Sequence, residues 1–235
     1  MRTALLMAFI FGLSSAADAQ ESVLDRRITA NAPGAAVVWL PDGVSNGMFA
    51  WRMAESAGVP LVFQASPLDY RDPAIVAQHF DLDGLTVRAA LDALVAQDPR
   101  YHWEEHDGVV VIRPIGVLAD PCDALNRRIA GVRGDRVRLE EVLASVTAAV
   151  AGRGGSRTLA AALGSQEFPL DVPSGTVLDV LAAAARAHGR VMWLTPDAAR
   201  APDQNGVSIG FRIFAGTAAG VSGDAARSDS HHANN

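Results

Sequence analysis

The sequence predicts an α+β protein of two small tandem βαβ-type modules, each a short mixed sheet packed by two helices. Three observations lead there. Short β-prone runs alternate with amphipathic helical stretches, so the hydrophobic period switches between 2 and 3.6 along the chain. One arrangement of strand, turn and helix recurs four times. Two of those copies keep a common spacing, 17 positions from Thr86 to Trp103 and again from Thr176 to Trp193, the mark of an internal repeat.

Met1–Gln20 precedes the modules. It carries an early Arg2, an apolar run from Ala4 to Leu13 and the triplet Ala17-Asp18-Ala19. This reads as a secretory signal peptide over 1–19 with cleavage after Ala19, because the apolar run is too short for a bilayer span of about 20 residues. A short N-terminal segment, 20–34, follows. The expected location is periplasmic or secreted.

The first copy places a strand at Ala36–Leu40, a turn at Pro41-Asp42-Gly43, an N-cap at Ser45 and a helix running to Ala57. Its apolar face is read as Met48, Trp51, Met53 and Ala54. Gly58 stops it and Leu61-Val62-Phe63 opens the next strand. In the second copy Phe80-Asp81-Leu82-Asp83 alternates, Gly84 breaks the strand and Thr86 starts a helix with Val87, Ala90, Leu91 and Leu94 on one side. Asp98-Pro99 ends that helix, since proline cannot continue its ladder. Tyr101–Glu105 and Val109–Ile112 then flank His106-Asp107-Gly108, where the Asp-Gly pair signals a hairpin turn.

The third copy reads as a strand at Arg128–Val132, a turn at Gly134-Asp135, and a helix lined by Leu139, Val142, Leu143, Val146 and Val150. Glu140 and Glu141 in its first turn complement the helix dipole. The fourth runs from Phe168–Val172 through Pro173-Ser174-Gly175 to a helix over Thr176–His188 and a strand at Arg190–Leu194. Val87 falls on Val177, Ala90 on Val180 and Leu91 on Leu181. The organisation is thus a module over 35–114, a polar linker over 115–124, a second related module over 125–215, and a tail over 216–235 whose small polar residues predict disorder.

Leu85–Leu94, then Tyr101-His102-Trp103, then Asp107–Pro114 resemble the secretin and TonB short N-terminal (STN-like) domain, where an Ala- and Leu-rich helix precedes an aromatic strand, a turn and a valine-rich strand. Met48–Phe63 is similar to that family's first helix and following strand. The resemblance covers about Ala35 to Pro114, and Leu125–Phe214 follows the same plan more loosely, interrupted at Gly152–Gly164 and Thr195–Asn205. It departs in the long polar stretch Pro60–Val76 and in lacking the channel or barrel segment. The resemblance implies binding of another envelope protein through a strand edge or helix face, without catalysis.

Composition narrows the alternatives. All 20 basic residues are Arg against 26 acidic ones, net −6, which disfavours nucleic acid because phosphates need a basic face. No later segment reads as a membrane span. Cys122 has no partner in the chain and no nearby His, so it reads as a passive thiol. His102, Glu104 and His106 would share one face of a strand. Residues i and i+4 there lie about 13 Å apart at roughly 3.3 Å each, too far for one ion with ligand bonds of about 2.0–2.1 Å. Glu104 and Glu105 face opposite sides and cannot act as a carboxylate pair. His188 reads as a cation at a helix C-terminus. Gly152–Arg157 lacks the ending of a phosphate loop and reads as a linker. His231-His232 lies on the tail. Trp39, Trp51, Trp103 and Trp193 read as core anchors. No catalytic, cofactor or metal residue is assigned.

The expected function is a non-enzymatic envelope adaptor or sensor with a protein partner on an exposed sheet edge or helix face. The alternatives are a periplasmic binder of a small molecule such as a peptide or glycan in an inter-module cleft, and a hydrolase with a site assembled from distant segments.

Overall fold

The computed structural model describes residues 22–29, 37–38, 46–66, 80–150, 158–160, 166–195 and 209–214. The expected signal peptide, Trp39, the expected turn at Pro41–Gly43 and cap at Ser45, Gly152–Arg157 and the segment 216–235 lie outside these residues.

The chain order is one pattern of elements run through twice. A 3-10 turn at Val23–Asp25 is capped by Ser22, whose hydroxyl accepts the Leu24 N–H. Then come β1 (Val37–Val38), α1 (Asn46–Ala57), β2 (Leu61–Gln64), β3 (Phe80–Asp81), α2 (Val87–Gln97), β4 (Tyr101–His106) and β5 (Val109–Pro114). After a 3-10 turn at Ile115–Val117, another at Ala124–Asn126 is capped by Asp123, which accepts the Leu125 N–H. It opens β6 (Arg128–Ile129), β7 (Val132–Val137), α3 (Leu139–Val150), β8 (Thr158–Ala160), β9 (Phe168–Val172), β10 (Gly175–Thr176), α4 (Val177–His188), β11 (Val191–Thr195) and β12 (Ile209–Ile213).

The pairings repeat with the elements. β1 lies antiparallel to β3, as β7 does to β9. β2 lies parallel to β5, as β8 does to β12. β4 and β5 form an antiparallel pair, as do β11 and β12. Arg27 bridges to Thr86 where Arg128 pairs with Thr176. Both threonines cap their helices, Thr86 accepting the Ala89 N–H and Thr176 making a full capping box with Asp179. Among the described residues, four helices and small mixed sheets make the α+β fold.

The two halves join edge to edge. β2 pairs in parallel with β11, Val62 opposite Trp193, giving a six-stranded sheet in the order β4-β5-β2-β11-β12-β8. Side chains alternate across it. Leu61, Phe63, Val110, Ile112 and Met192 pack with α1 and α2, whereas Val62, Val109, Val111, Val191 and Trp193 pack with α3 and α4. Each helix pair therefore covers one face of the common sheet.

Local signals account for most boundaries. Gly58, Gly84 and Gly189 take positive φ at the ends of α1, β3 and α4, and Asp107-Gly108 does so in the β4–β5 turn, as the Asp-Gly pair predicts. Several expectations are corrected. The strand at 128–132 is divided by Gly131 into β6 and β7; its φ is +95°, and a Cβ there would stand 2.1 Å from the Val172 carbonyl oxygen. Gly134-Asp135 lies inside β7 rather than in a turn, because the extra residues are absorbed as a bulge between Gly134 and Val137. The buried face of α1 is Phe49, Ala50, Met53 and Ala54, with Met48 and Trp51 half-buried at its margin. β8 sits within the Gly- and Ala-rich stretch that reads as an interruption, since neighbouring β12 supplies its backbone partners.

Candidate functional site

Among the described residues, the β4 hairpin strand is held firmly along one side and left open on the other. Its start is fixed by Asp98, which is buried at the end of α2 and accepts from Arg100 Nη2 at 2.6 Å and Asn46 Nδ2 at 2.7 Å. Burial pulls the Asp98 carboxyl upward, but the hydrogen bonds from Arg100 and Asn46 outweigh it and hold the group below the usual carboxylate range. Tyr101 is buried, stacks on Phe63 at 5.7 Å and accepts the Ser66 N–H at 2.7 Å through its hydroxyl. Further along, Trp103 Nε1 donates to Asp92 at 3.2 Å, and the Arg88 guanidinium lies 5.9 Å from the Trp103 ring centre. Glu105 accepts from the Ser22 hydroxyl at 2.9 Å, and His106 Nε2 approaches Asp179 at 3.4 Å.

Which backbone groups face outward follows from one bond. The Arg100 carbonyl accepts the N–H of Ile115, the residue opposite. Antiparallel pairs alternate between bonded and non-bonded. Arg100, His102, Glu104 and His106 therefore turn their backbone groups to β5, while Trp103 and Glu105 turn theirs to the edge. Among the described residues β4 pairs with β5 alone. The equivalent strand β11 is covered at the same position, where the Thr195 carbonyl accepts the Ala65 N–H. Composition tracks this difference: Met192, Leu194 and Thr195 of the covered strand correspond to His102, Glu104 and Glu105 of the open one. Charged side chains on an open edge discourage indiscriminate strand pairing.

Two features mark the junction of the halves. Arg113 is 4% exposed. Its Nε donates to Gln64 and its Nη2 to Asp123, both at 2.9 Å, and Gln64 Nε2 donates to Asp123 at 2.6 Å. At the opposite end of β2 and β5, Ser22, Arg26, Gly58, Glu105, Asp107 and Arg186 line an open hollow of about 490 Å³. There Arg186 meets the Asp107 carboxylate at 3.3 Å and Arg26 donates to the Gly58 carbonyl at 2.8 Å.

The sequence candidates are dispersed. His102 and Glu104 are exposed and His106 is at the turn; among the described residues no three His, Cys, Asp or Glu side chains gather as a metal set. Glu104 and Glu105 are consecutive in β4 and so face opposite sides of the strand. Glu140 and Glu141 stand in the first turn of α3, where Glu141 accepts the Arg138 N–H at 3.1 Å. Cys122 is exposed in a turn made by its N–H donating to Asp120 at 2.8 Å. Trp193 is fully buried beside Phe211, whereas Trp51 and Trp103 are only partly covered. His188 is corrected. It is the last residue of α4 but 4% exposed, and burial, then the nearby Arg190 charge, lower its pKa, so it is not the expected C-terminal cation. Its Nδ1 accepts the Arg190 N–H at 3.4 Å, its ring meets Phe168 edge-on at 5.7 Å, and Nε2 is buried without a hydrogen-bond partner among the described residues.

The junction network has a sequence signal that module boundaries at 35 and 125 pass over. Val23-Leu24-Asp25-Arg26-Arg27-Ile28 and Ala124-Leu125-Asn126-Arg127-Arg128-Ile129 are near copies at the head of each half, both preceded by a capping residue, Ser22 and Asp123. The chain matches no protein-family model, no curated protein and no solved structure.

Proposed function

We propose that this chain is an exported, non-enzymatic envelope adaptor that receives a protein partner on the β4 edge of its six-stranded sheet. The observation that carries the reading is the open side of β4, where the Trp103 and Glu105 backbone groups face outward from a strand fixed at both ends. A partner strand completes such groups, and alternate side chains supply specificity. The His, Glu and Trp side chains beside the edge suit a polar, selective contact. The resemblance to the STN-like domain points to the same kind of partner, and the signal peptide read from residues 1–19 supports a periplasmic or secreted location.

The test is residue-specific. A protein retained from envelope extract on the immobilised chain is added to isotopically labelled chain, and amide exchange is followed. Slowed exchange at Trp103 and Glu105 is expected; a bound protein that leaves both amides unprotected refutes the β4 reading. The hollow lined by Arg26, Arg186, Glu105 and Asp107 favours a second reading, a zwitterionic small ligand such as a peptide held at the junction. That reading expects a peptide to raise the melting temperature with no protein partner present.

A further inference from the structure

The contact that joins the two halves is of a kind that does not close on itself. Inside the chain β2, at one border of the first half's three strands, lies parallel to β11, the hairpin strand bordering the second half's three. The two borders left over are one of each kind. β4 is the first half's hairpin strand, and β8 is the second half's counterpart of β2, since β8 lies parallel to β12 as β2 does to β5. Among the described residues neither has a second neighbour.

Directions agree as well. β4 runs against β5 and β2, while β8 and β12 run against β11. Because β2 and β11 run together, β4 and β8 also share one direction. The operation that carries the first half onto the second advances along the sheet and turns it over, which is why the helix pairs lie on opposite faces. A head-to-tail relation of this kind leaves complementary ends free and can be repeated.

We propose that the occupant of the β4 edge is a second copy of this chain, which adds its β8 in parallel and continues the sheet by the contact already present between β2 and β11. This rests on the reading of β4 as a docking edge and specifies the partner. The register follows from the repeat. Phe63 stands opposite Ile112 as Ala160 does opposite Phe211, and Trp103 stands opposite Ile112 as Trp193 does opposite Phe211. Within the chain Val62 faces Trp193 and Phe63 faces Leu194. Between copies, Leu159 then faces Trp103 and Ala160 faces Glu104. Glu104 and Glu105 stand where β11 has Leu194 and Thr195, so the contact between copies is weaker than the one within the chain and depends on concentration.

Sedimentation equilibrium of the full mature chain from about 10 μM to about 1 mM, the regime of weak contacts, tests this. Mass is expected to keep rising with concentration rather than stop at a dimer. Glu104→Leu with Glu105→Thr, which copies β11, should tighten association at least about tenfold. Glu105→Pro, which removes an outward N–H but no β4–β5 bond, should leave a monomer whose circular dichroism matches the parent chain. If that proline unfolds the chain, the Leu/Thr pair alone decides. A parent chain that stays monomeric throughout, a Leu/Thr variant no tighter than the parent, or a closed dimer indifferent to a folded Glu105→Pro chain overturns self-addition. A monomeric chain whose Trp103 and Glu105 amides are protected by an envelope protein overturns this proposal and leaves the adaptor reading standing; protection by nothing ends both.

Discussion

Replacing Arg113 with Met tests the buried network at the junction. Arg113 reaches from β5 to Asp123, the cap of the 3-10 turn that opens the second half, and also donates to Gln64 of β2. Arg113 and Asp123 are both largely buried, at 5% and 9% side-chain exposure. Removing one partner of such a pair strands the other charge and costs about 3–5 kcal/mol. Asp123 keeps the Gln64 amide at 2.6 Å and the Leu125 N–H at 2.9 Å, which points to the lower end, about 3 kcal/mol. For a chain of this size that is a fall in melting temperature of about 6–12 °C. Urea unfolding of Arg113→Met, Asp123→Asn and the double variant measures it, with an unchanged slope against denaturant confirming that the loss is in stability. The double variant should recover about 2 kcal/mol relative to the sum of the single losses. A loss below about 1 kcal/mol, the range of exposed pairs, or strictly additive variants would refute the reasoning.

Three further outcomes follow from the packing. His188 is held below its ordinary pKa, so the unfolded chain binds the proton more readily; its share of stability is complete above about pH 6.5 and declines as the pH falls through the folded-state value. His188→Leu should flatten that part of the stability profile, and an unaltered slope between pH 7 and 5 would contradict it. Trp193→Ala should cost about 3–5 kcal/mol and Trp103→Ala no more than about 2, because only the first ring is fully buried; the reverse order in urea unfolding would show the core to be misplaced. Gly131→Ala, strained at positive φ and blocked by the Val172 carbonyl, should lose at least about 2 kcal/mol, and an unchanged melting temperature would exclude that close approach.

What the sequence made legible was local. Thr86 as a cap, Gly84 and Pro99 as stops and Asp107-Gly108 as a turn fix the second copy because each acts on backbone angles within a few residues. The matching of Thr86 and Trp103 with Thr176 and Trp193 likewise marks a repeat that the strand pairings carry through. The junction was not legible. Pairing β2 with β11 brings together residues about 130 positions apart, and no periodicity within either strand reports its neighbour. β12 alternates Ile209, Phe211 and Ile213 and was open to recognition; β8 is three residues in a run of small ones and takes its identity from β12. His188 shows the same limit. Its place at a helix end is a sequence property, whereas its burial against Phe168 depends on β9.

The placement of each helix pair on only one face of the common sheet has a consequence for dissection. Val62, Val109 and Val111 come from the first half but take their cover from α3 and α4, and Met192 and Phe214 come from the second but take theirs from α1 and α2. Cutting the chain between Leu118 and Pro121 would not release two miniature proteins. Each fragment would keep its own helices and present a bare greasy underside to water, the condition for clumping rather than folding. Neither half can be excised, exchanged or expressed by itself as a faithful stand-in for the whole.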